Sequence, residues 1–268
     1  MKENAPIEKN FDAGGAFART QRLFGRQAME KLASSHVLLF GVGGVGSYAA
    51  EALVRSGVGH LTMVDDDEVC VTNLNRQLHA TVHTVGRPKA DAMRERLLSI
   101  NPGCEVRTVS HFYLPGDGSN LITTDYDYII DAIDTVSAKI DIIITAQRLG
   151  VPVISCMGTG NKLHPHLLTV ADIYNTSVCP LCRVMRSELR KRGVAHAKVV
   201  YSPEPPLTPI GSEAEFLPQD AEGTQRGGPR RKIPPGSTAF VPPAAGLILA
   251  SEAVLDITSL QSGGKNGT

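Results

Sequence analysis

Gly41, Gly43, Gly44 and Gly46 fall in the stretch GVGGVGS, with GxGxxG spacing at 41, 43 and 46, directly after the apolar run HVLLF. Glycines so placed let the backbone turn sharply and approach a phosphate chain. The helix that follows then offers unpaired N–H groups and the positive end of its dipole to the anion. The turn alone does not choose a nucleotide, because a dinucleotide and ATP both present phosphates to it. Asp65, at the end of the next apolar run HLTMVD, stands in the register of a carboxylate that takes ribose hydroxyls.

The residues after Asp65 separate the two readings. The stretch VDDDEVCVTNLNRQLHATVHTVGRPKADA (64–92) places Asn73, Arg76, Gln77 and Lys89 in the loop leaving the second strand and at the start of the next helix. Arg and Lys converging on a glycine turn suit a triphosphate, whose β and γ groups need neutralising. No constellation that would position a hydride acceptor follows. DAIDT (131–135) is expected to end the fourth strand with Asp134. A carboxylate at the C-terminal edge of a parallel sheet, beside phosphates, suits Mg²⁺, and Thr135 next to it belongs to the same nucleotide-contacting group.

Strands alternating with helices must carry these residues. HVLLFG (36–41), HLTMVD (60–65), EVRTVS (105–110), YDYIIDAI (126–133) and PVISC (152–156) read as strands, and 45–55, 88–100 and 136–149 as helices between them. The alternation predicts an α/β fold with a doubly wound, Rossmann-like, mostly parallel sheet. Residues 1–35 read as an N-terminal arm, helical over 17–33, and 36–200 as the core. Residues 201–236, dense in Pro, Gly and charge, read as a mobile loop. Residues 237–268 return to core-like composition: a short strand, a Pro-Pro break and a helix that complete the domain.

Composition narrows the class. The 268 residues carry a formal net charge of zero, which excludes polyanion binding by bulk charge but not by a local patch. No run of eighteen apolar residues stands out and the N-terminus is polar, so a cytoplasmic protein with no membrane partner is expected. The five cysteines (Cys70, Cys104, Cys156, Cys179 and Cys182) are odd in number and scattered, as in a reducing compartment. A structural zinc site needs four ligands. The CxxC at Cys179–Cys182 has no second pair after it, and His164, His166 and His196 do not complete a ligand pattern, so no zinc site is expected. Cys182 is the nearest candidate for a thioester-forming nucleophile and, like His79 and His83, reads as structural.

GVGGVGS, VDDDEV…TNLNRQ, VGRPKA and DAIDT, in this order over roughly residues 17–175, resemble the ATP-binding core of the ubiquitin-activating-enzyme-like superfamily, which includes the activators of the molybdopterin and thiamine sulfur carriers. The resemblance implies that Gly41, Gly43, Gly44 and Gly46 cradle phosphate and that Asp65 binds ribose. By the same likeness Asn73, Arg76 and Lys89 contact the phosphates, and Asp134 assists Mg²⁺. The implied reaction is adenylation: a carboxylate attacks the α-phosphate of ATP, giving an acyl-adenylate and pyrophosphate. Arg22, in RTQRLFG, matches an arginine that in the sulfur-carrier activators crosses a homodimer interface to ATP; the plainer reading is a solvated helix arginine.

TVADIYNTSVCPLCRVMRSELRKRGV, KVVYSPEPP and GSTAFVPPAAGLILASEAV resemble more closely one branch of that superfamily, the tRNA threonylcarbamoyladenosine dehydratases; the CPLC pair departs from that branch. There the threonyl carboxylate of a modified adenosine in tRNA is activated with ATP, and the side chain's own urea-like group closes a ring, so no protein nucleophile is required. A tRNA substrate calls for basic residues. Arg183, Arg186, Arg190, Lys191 and Arg192 share one helix region, and Arg230, Arg231 and Lys232 lie in the Pro/Gly-rich loop. A sulfur-relay protein is a further partner the resemblance brings into view. The alternative function is an adenylating activator of a ubiquitin-like or sulfur-carrier protein's C-terminus, and a non-catalytic nucleotide-binding module is the reading from another class.

Overall fold

HVLLF and HLTMV carry no polar alternation because both faces of these strands are covered, as in the centre of a parallel sheet. In the computed structural model, which describes residues 13–210 and 235–260, they form β1 (His36–Phe40) and β2 (His60–Val64), each buried at all but its first residue. The other strands are β3 (Glu105–Val109), β4 (Tyr128–Asp131), β5 (Val153–Cys156), β6 (Thr169–Asp172) and β7 (Lys198–Tyr201). They make one sheet in the order β3-β2-β1-β4-β5-β7-β6, parallel throughout except for the antiparallel β6–β7 pair.

The order reverses at β1, with β2 and β3 on one side and β4 and β5 on the other. Phe40 is in register with Val64 of β2 and Asp131 of β4. The loops leaving β1 and β4 therefore start level with each other, flanking the crevice in which sheets of this kind receive ligands.

The helices are α1 (Ala13–Ala16), α2 (Ala18–Phe24), α3 (Arg26–Ser34), α4 (Gly46–Arg55), α5 (Lys89–Ile100), α6 (Gly118–Leu121), α7 (Val136–Leu149), α8 (Pro180–Lys191) and α9 (Val241–Thr258). Alternate residues of β1 face opposite cores. Val37 and Leu39 pack with α4, α5 and α9, while Leu38 and Phe40 pack with Ala138, Ile142 and Ala146 of α7. A third cluster joins Met185 and Leu189 of α8 to Ile140 and Ile143 of α7 and to β7.

Several elements differ from the sequence expectation. The helix expected over 17–33 is two helices broken at Gly25, whose φ of +81° only glycine adopts without strain. Residues 235–240 form no strand, and the Pro-Pro pair starts α9 rather than breaking it. Proline is tolerated in a first helical turn because its missing N–H would have no intrahelical partner there. By length and apolarity α9 could cross a membrane, but it carries Val241, Ala245, Leu249 and Ala253 fully buried against the sheet and α4. Of the expected mobile loop, 211–234 lies outside the described residues, as do Arg230, Arg231 and Lys232.

Candidate active site

The loop after β1 is built by close backbone approach. At Gly41 (φ +84°) a side-chain carbon would lie 2.9 Å from the carbonyl oxygen of Ala132, at the start of the β4 loop. At Gly46 it would lie 1.8 Å from the carbonyl oxygen of Gly41. Any other residue would push the turn open. No side chain caps α4, so its N-terminal end is left to a ligand or solvent.

Asp65 sits beneath this turn. Its Oδ2 accepts from the Val42 N–H at 2.6 Å and its Oδ1 from the Asp67 N–H at 3.0 Å. Burial raises its carboxyl above the usual range, with the Lys89 ammonium pulling the other way. Lys89, the first residue of α5, is 7% exposed and donates from Nζ to Asp67 Oδ2 at 2.7 Å. Arg76 is half-buried: its Cγ lies 3.2 Å from where a Gly44 side chain would begin, and its Nη1 donates to the Thr72 carbonyl and Asn75 Oδ1. Burial lowers its pKa. Asn73 Oδ1 accepts from the Cys70 N–H at 3.0 Å, so this side chain also shapes the loop that carries Arg76.

Asp134 is exposed in the β4 loop, three residues beyond the end of β4 rather than within the strand. Its described partner is the Thr135 hydroxyl at 3.5 Å. Among the described residues no three His, Cys, Asp or Glu side chains are grouped to hold a metal ion. A magnesium ion here would be held through Asp134 together with phosphate oxygens, which suits an ion that keeps several waters and takes one or two carboxylates.

Beneath Asp134 lies a constellation that sequence reasoning missed. Lys139 and Asp131 are 1% and 0% exposed and pair at 2.9 Å, and the Ser155 hydroxyl donates to the same Asp131 oxygen at 2.5 Å. Asp131 Oδ1 accepts from the Ile133 N–H, fixing the loop toward Asp134. The available signal was Lys139 itself, a charge on the otherwise apolar face of VSAKIDIII. His79 lies in the same region of the chain, in the loop between β2 and α5. It is 3% exposed, neither ring nitrogen has a described partner, and burial lowers its pKa to about 4. Gln77 Oε1 is likewise buried without a described partner, while its Nε2 lies 3.9 Å from where a Gly43 side chain would begin. The Gln77 amide thus borders the glycine turn at Gly43, with one buried polar atom that has no described partner.

No described hydrogen bond or ion pair joins Arg22 to this place. Arg22 is exposed on α2, in the arm whose Phe17 packs 3.8 Å from where a Gly57 side chain would begin. Gly57 follows the far end of α4, and ten helical residues put about 15 Å between that end and the glycine turn. On and just after α8, Arg186 donates to the carbonyl and hydroxyl of Thr176, and Arg190 lies over the Tyr174 ring at 5.2 Å. Lys191 and Arg192 pair with Glu188, whereas Arg183 is exposed. Cys182 is fully buried, and the neighbouring Cys179 and burial hold its thiol protonated.

A glycine turn, a buried carboxylate beneath it and flanking cations at the switch point of a doubly wound sheet define a nucleotide-binding class. Within it, the chain belongs to the ThiF family, whose sequence profile matches residues 17–262. It is 42% identical over 242 residues to the tRNA threonylcarbamoyladenosine dehydratase of Bacillus subtilis, covering 90% of this chain and 94% of that one. It is 41% identical to the Escherichia coli protein of the same name over 65% of each. The fold matches the crystal structure of the E. coli dehydratase in complex with AMP at a TM-score of 0.79, with 32% identity, over 92% of this chain and 95% of that one; the same protein has also been solved with ATP.

Proposed function

We propose that this chain is an ATP-dependent tRNA threonylcarbamoyladenosine dehydratase. The observation that carries the reading is the 42% identity to the B. subtilis dehydratase over nearly the whole of both chains. The glycine turn, bordered by the Gln77 amide and Arg76, with Lys89 near Asp65, supports it with a site of the right chemistry.

The threonyl carboxylate attacks the α-phosphorus of ATP and pyrophosphate leaves. The substrate's own carbamoyl group then attacks the acyl carbon and AMP leaves, so that the tRNA nucleoside loses one water overall. The nucleophile is already an anion and needs no protein base. Charge accumulates on the phosphoryl oxygens and on pyrophosphate, and fixed cations stabilise it more in the transition state than before. Arg76 and Lys89 supply that charge, the turn at Gly41, Gly43, Gly44 and Gly46 supplies N–H groups, Asp65 orients the ribose, and Asn73 holds the Arg76 loop. Asp134 with Thr135 would hold magnesium, which when bound neutralises phosphate charge.

The working unit of this reading is a homodimer in which Arg22 completes the partner's site. Arg186, Arg190, Lys191 and Arg192 form the tRNA-facing side, and a sulfur-relay protein is a further partner. The reaction takes place in the cytoplasm. The test is mass spectrometry of nucleosides from tRNA carrying threonylcarbamoyladenosine, incubated with the protein and ATP. The expected product is lighter by one water. Intact tRNA, together with ATP–pyrophosphate exchange that needs a carrier protein with a C-terminal glycine, would move the chain to the sulfur-carrier activators.

A further inference from the structure

We propose that Cys179 and Cys182 are a redox-active pair that closes to an intramolecular disulfide on exchange with a low-molecular-weight disulfide, and that closure loosens the loop following β5. CPLC sets the two sulfurs one helical turn apart: Cys179 is the N-cap of α8, Pro180 its first residue, and Cys182 lies in the first turn. The Cys179 sulfur lies 3.8 Å from where a Gly158 side chain would begin, so the pair packs directly against the loop that follows β5. The adjacent Cys182 thiol holds Cys179 below the ordinary thiol range, against the effect of burial, with the nearby backbone and Lys162 adding in the downward direction. Both residues are buried, but Val178 just before them is 48% exposed and held at φ +61°, where a β-branched residue is strained. The turn that delivers Cys179 is thus a strained feature of the surface, one residue away from the buried sulfur.

The thiolate of Cys179 attacks one sulfur of oxidised glutathione and glutathione thiolate leaves. Cys182, giving its proton to that thiolate, then attacks the Cys179 sulfur and releases the second glutathione. The protein loses two hydrogens and the oxidant gains them. Closure moves the Cys179 sulfur toward Cys182 and away from its packing against Gly158. Gly158 opens a loop tied onward by hydrogen bonds: Asn161 exchanges two with Gly236, at 2.7 and 2.6 Å, and Asn75 donates to the Ser237 carbonyl at 3.1 Å while accepting from Arg76. The pair therefore sits at one end of a connected path to the phosphate-facing arginine. This inference is independent of which carboxylate the enzyme activates.

The experiment uses the full chain carrying Cys70→Ser, which removes the exposed thiol, in buffers of graded oxidised-to-reduced glutathione. Expected are a mass lower by two hydrogens, a disulfide mapped to Cys179–Cys182, and reversal by dithiothreitol. Adding Cys182→Ser should trap one glutathione on Cys179. Hydrogen exchange over 157–162 and 235–237 should quicken several-fold in the oxidised protein, and not in a Cys179→Ala/Cys182→Ala chain under the same buffer. A folded protein whose mass stays constant at every ratio overturns the redox assignment. A complete disulfide with unchanged exchange overturns its link to the loop.

Discussion

Lys139 Nζ stands 2.9 Å from Asp131 Oδ2, and neither side chain is more than 1% exposed. The pair lies at the carboxyl end of β4, where it holds the loop that presents Asp134. A buried ion pair contributes little net stability, yet breaking it leaves one charge uncompensated in an apolar medium. Lys139→Met or Asp131→Asn alone should each cost about 3–5 kcal/mol in urea denaturation. The double variant should recover a substantial part of that loss. A single variant within 1 kcal/mol of the parent, by the same estimate, would show that water reaches the pair.

Asp134 is exposed and makes no contact that the fold depends on, whereas Arg76 lies against the glycine turn. Asp134→Ala and Arg76→Ala should therefore leave the folded state in place and cut product formation by about two to three orders of magnitude. Loss of one preorganised charge contact typically costs about 2–4 kcal/mol, or two to three orders of magnitude in rate. Near-normal turnover in a folded Asp134→Ala protein would remove that residue from the site.

His79 gives a pH signature. Burial lowers its folded pKa to about 4 from the 6.5 of an exposed histidine. Below pH 6.5 the unfolded chain takes up this proton and the folded chain does not, so stability falls as the pH drops toward 4. The slope from this residue is about 1.4 kcal/mol per pH unit, roughly 3 kcal/mol across the window. Urea melts from pH 7 to 4.5 should show that slope in the parent and a shallower one in His79→Leu. Equal slopes would mean that His79 is solvated.

Local pattern reached as far as local causes did. β1, β2, β4 and β5 were legible because burial on both faces leaves short apolar runs, and β3 because its residues alternate polar with apolar. The strands at the far edge were not: TVAD is four residues long and largely half-buried, and it gains its place only by pairing with KVVY. In the site, the glycine turn, Asp65, Arg76 and Lys89 could be read from spacing, since each serves one contiguous loop. The Lys139–Asp131–Ser155 group could not. Asp131 meets Ser155 only through the register of β4 with β5, and helical periodicity treats a lysine as a surface residue.

The arm that carries Arg22 packs through Phe17 near Gly57, at the end of α4 away from the glycine turn, and the proposed role of Arg22 is in the site of a partner chain. A two-fold dimer would contain two equivalent sites, each completed in trans. Arg22→Ala and Asp134→Ala homodimers should each be inactive. When the two are mixed and allowed to exchange, one site of each heterodimer combines an intact Asp134 with an intact Arg22 from the partner, while the other lacks both. Each heterodimer should then regain about half of the parent activity, because one of its two sites is whole. With exchange confirmed by native mass spectrometry, a mixture that stays inactive would rule out action across the interface and leave Arg22 as a solvated residue of α2.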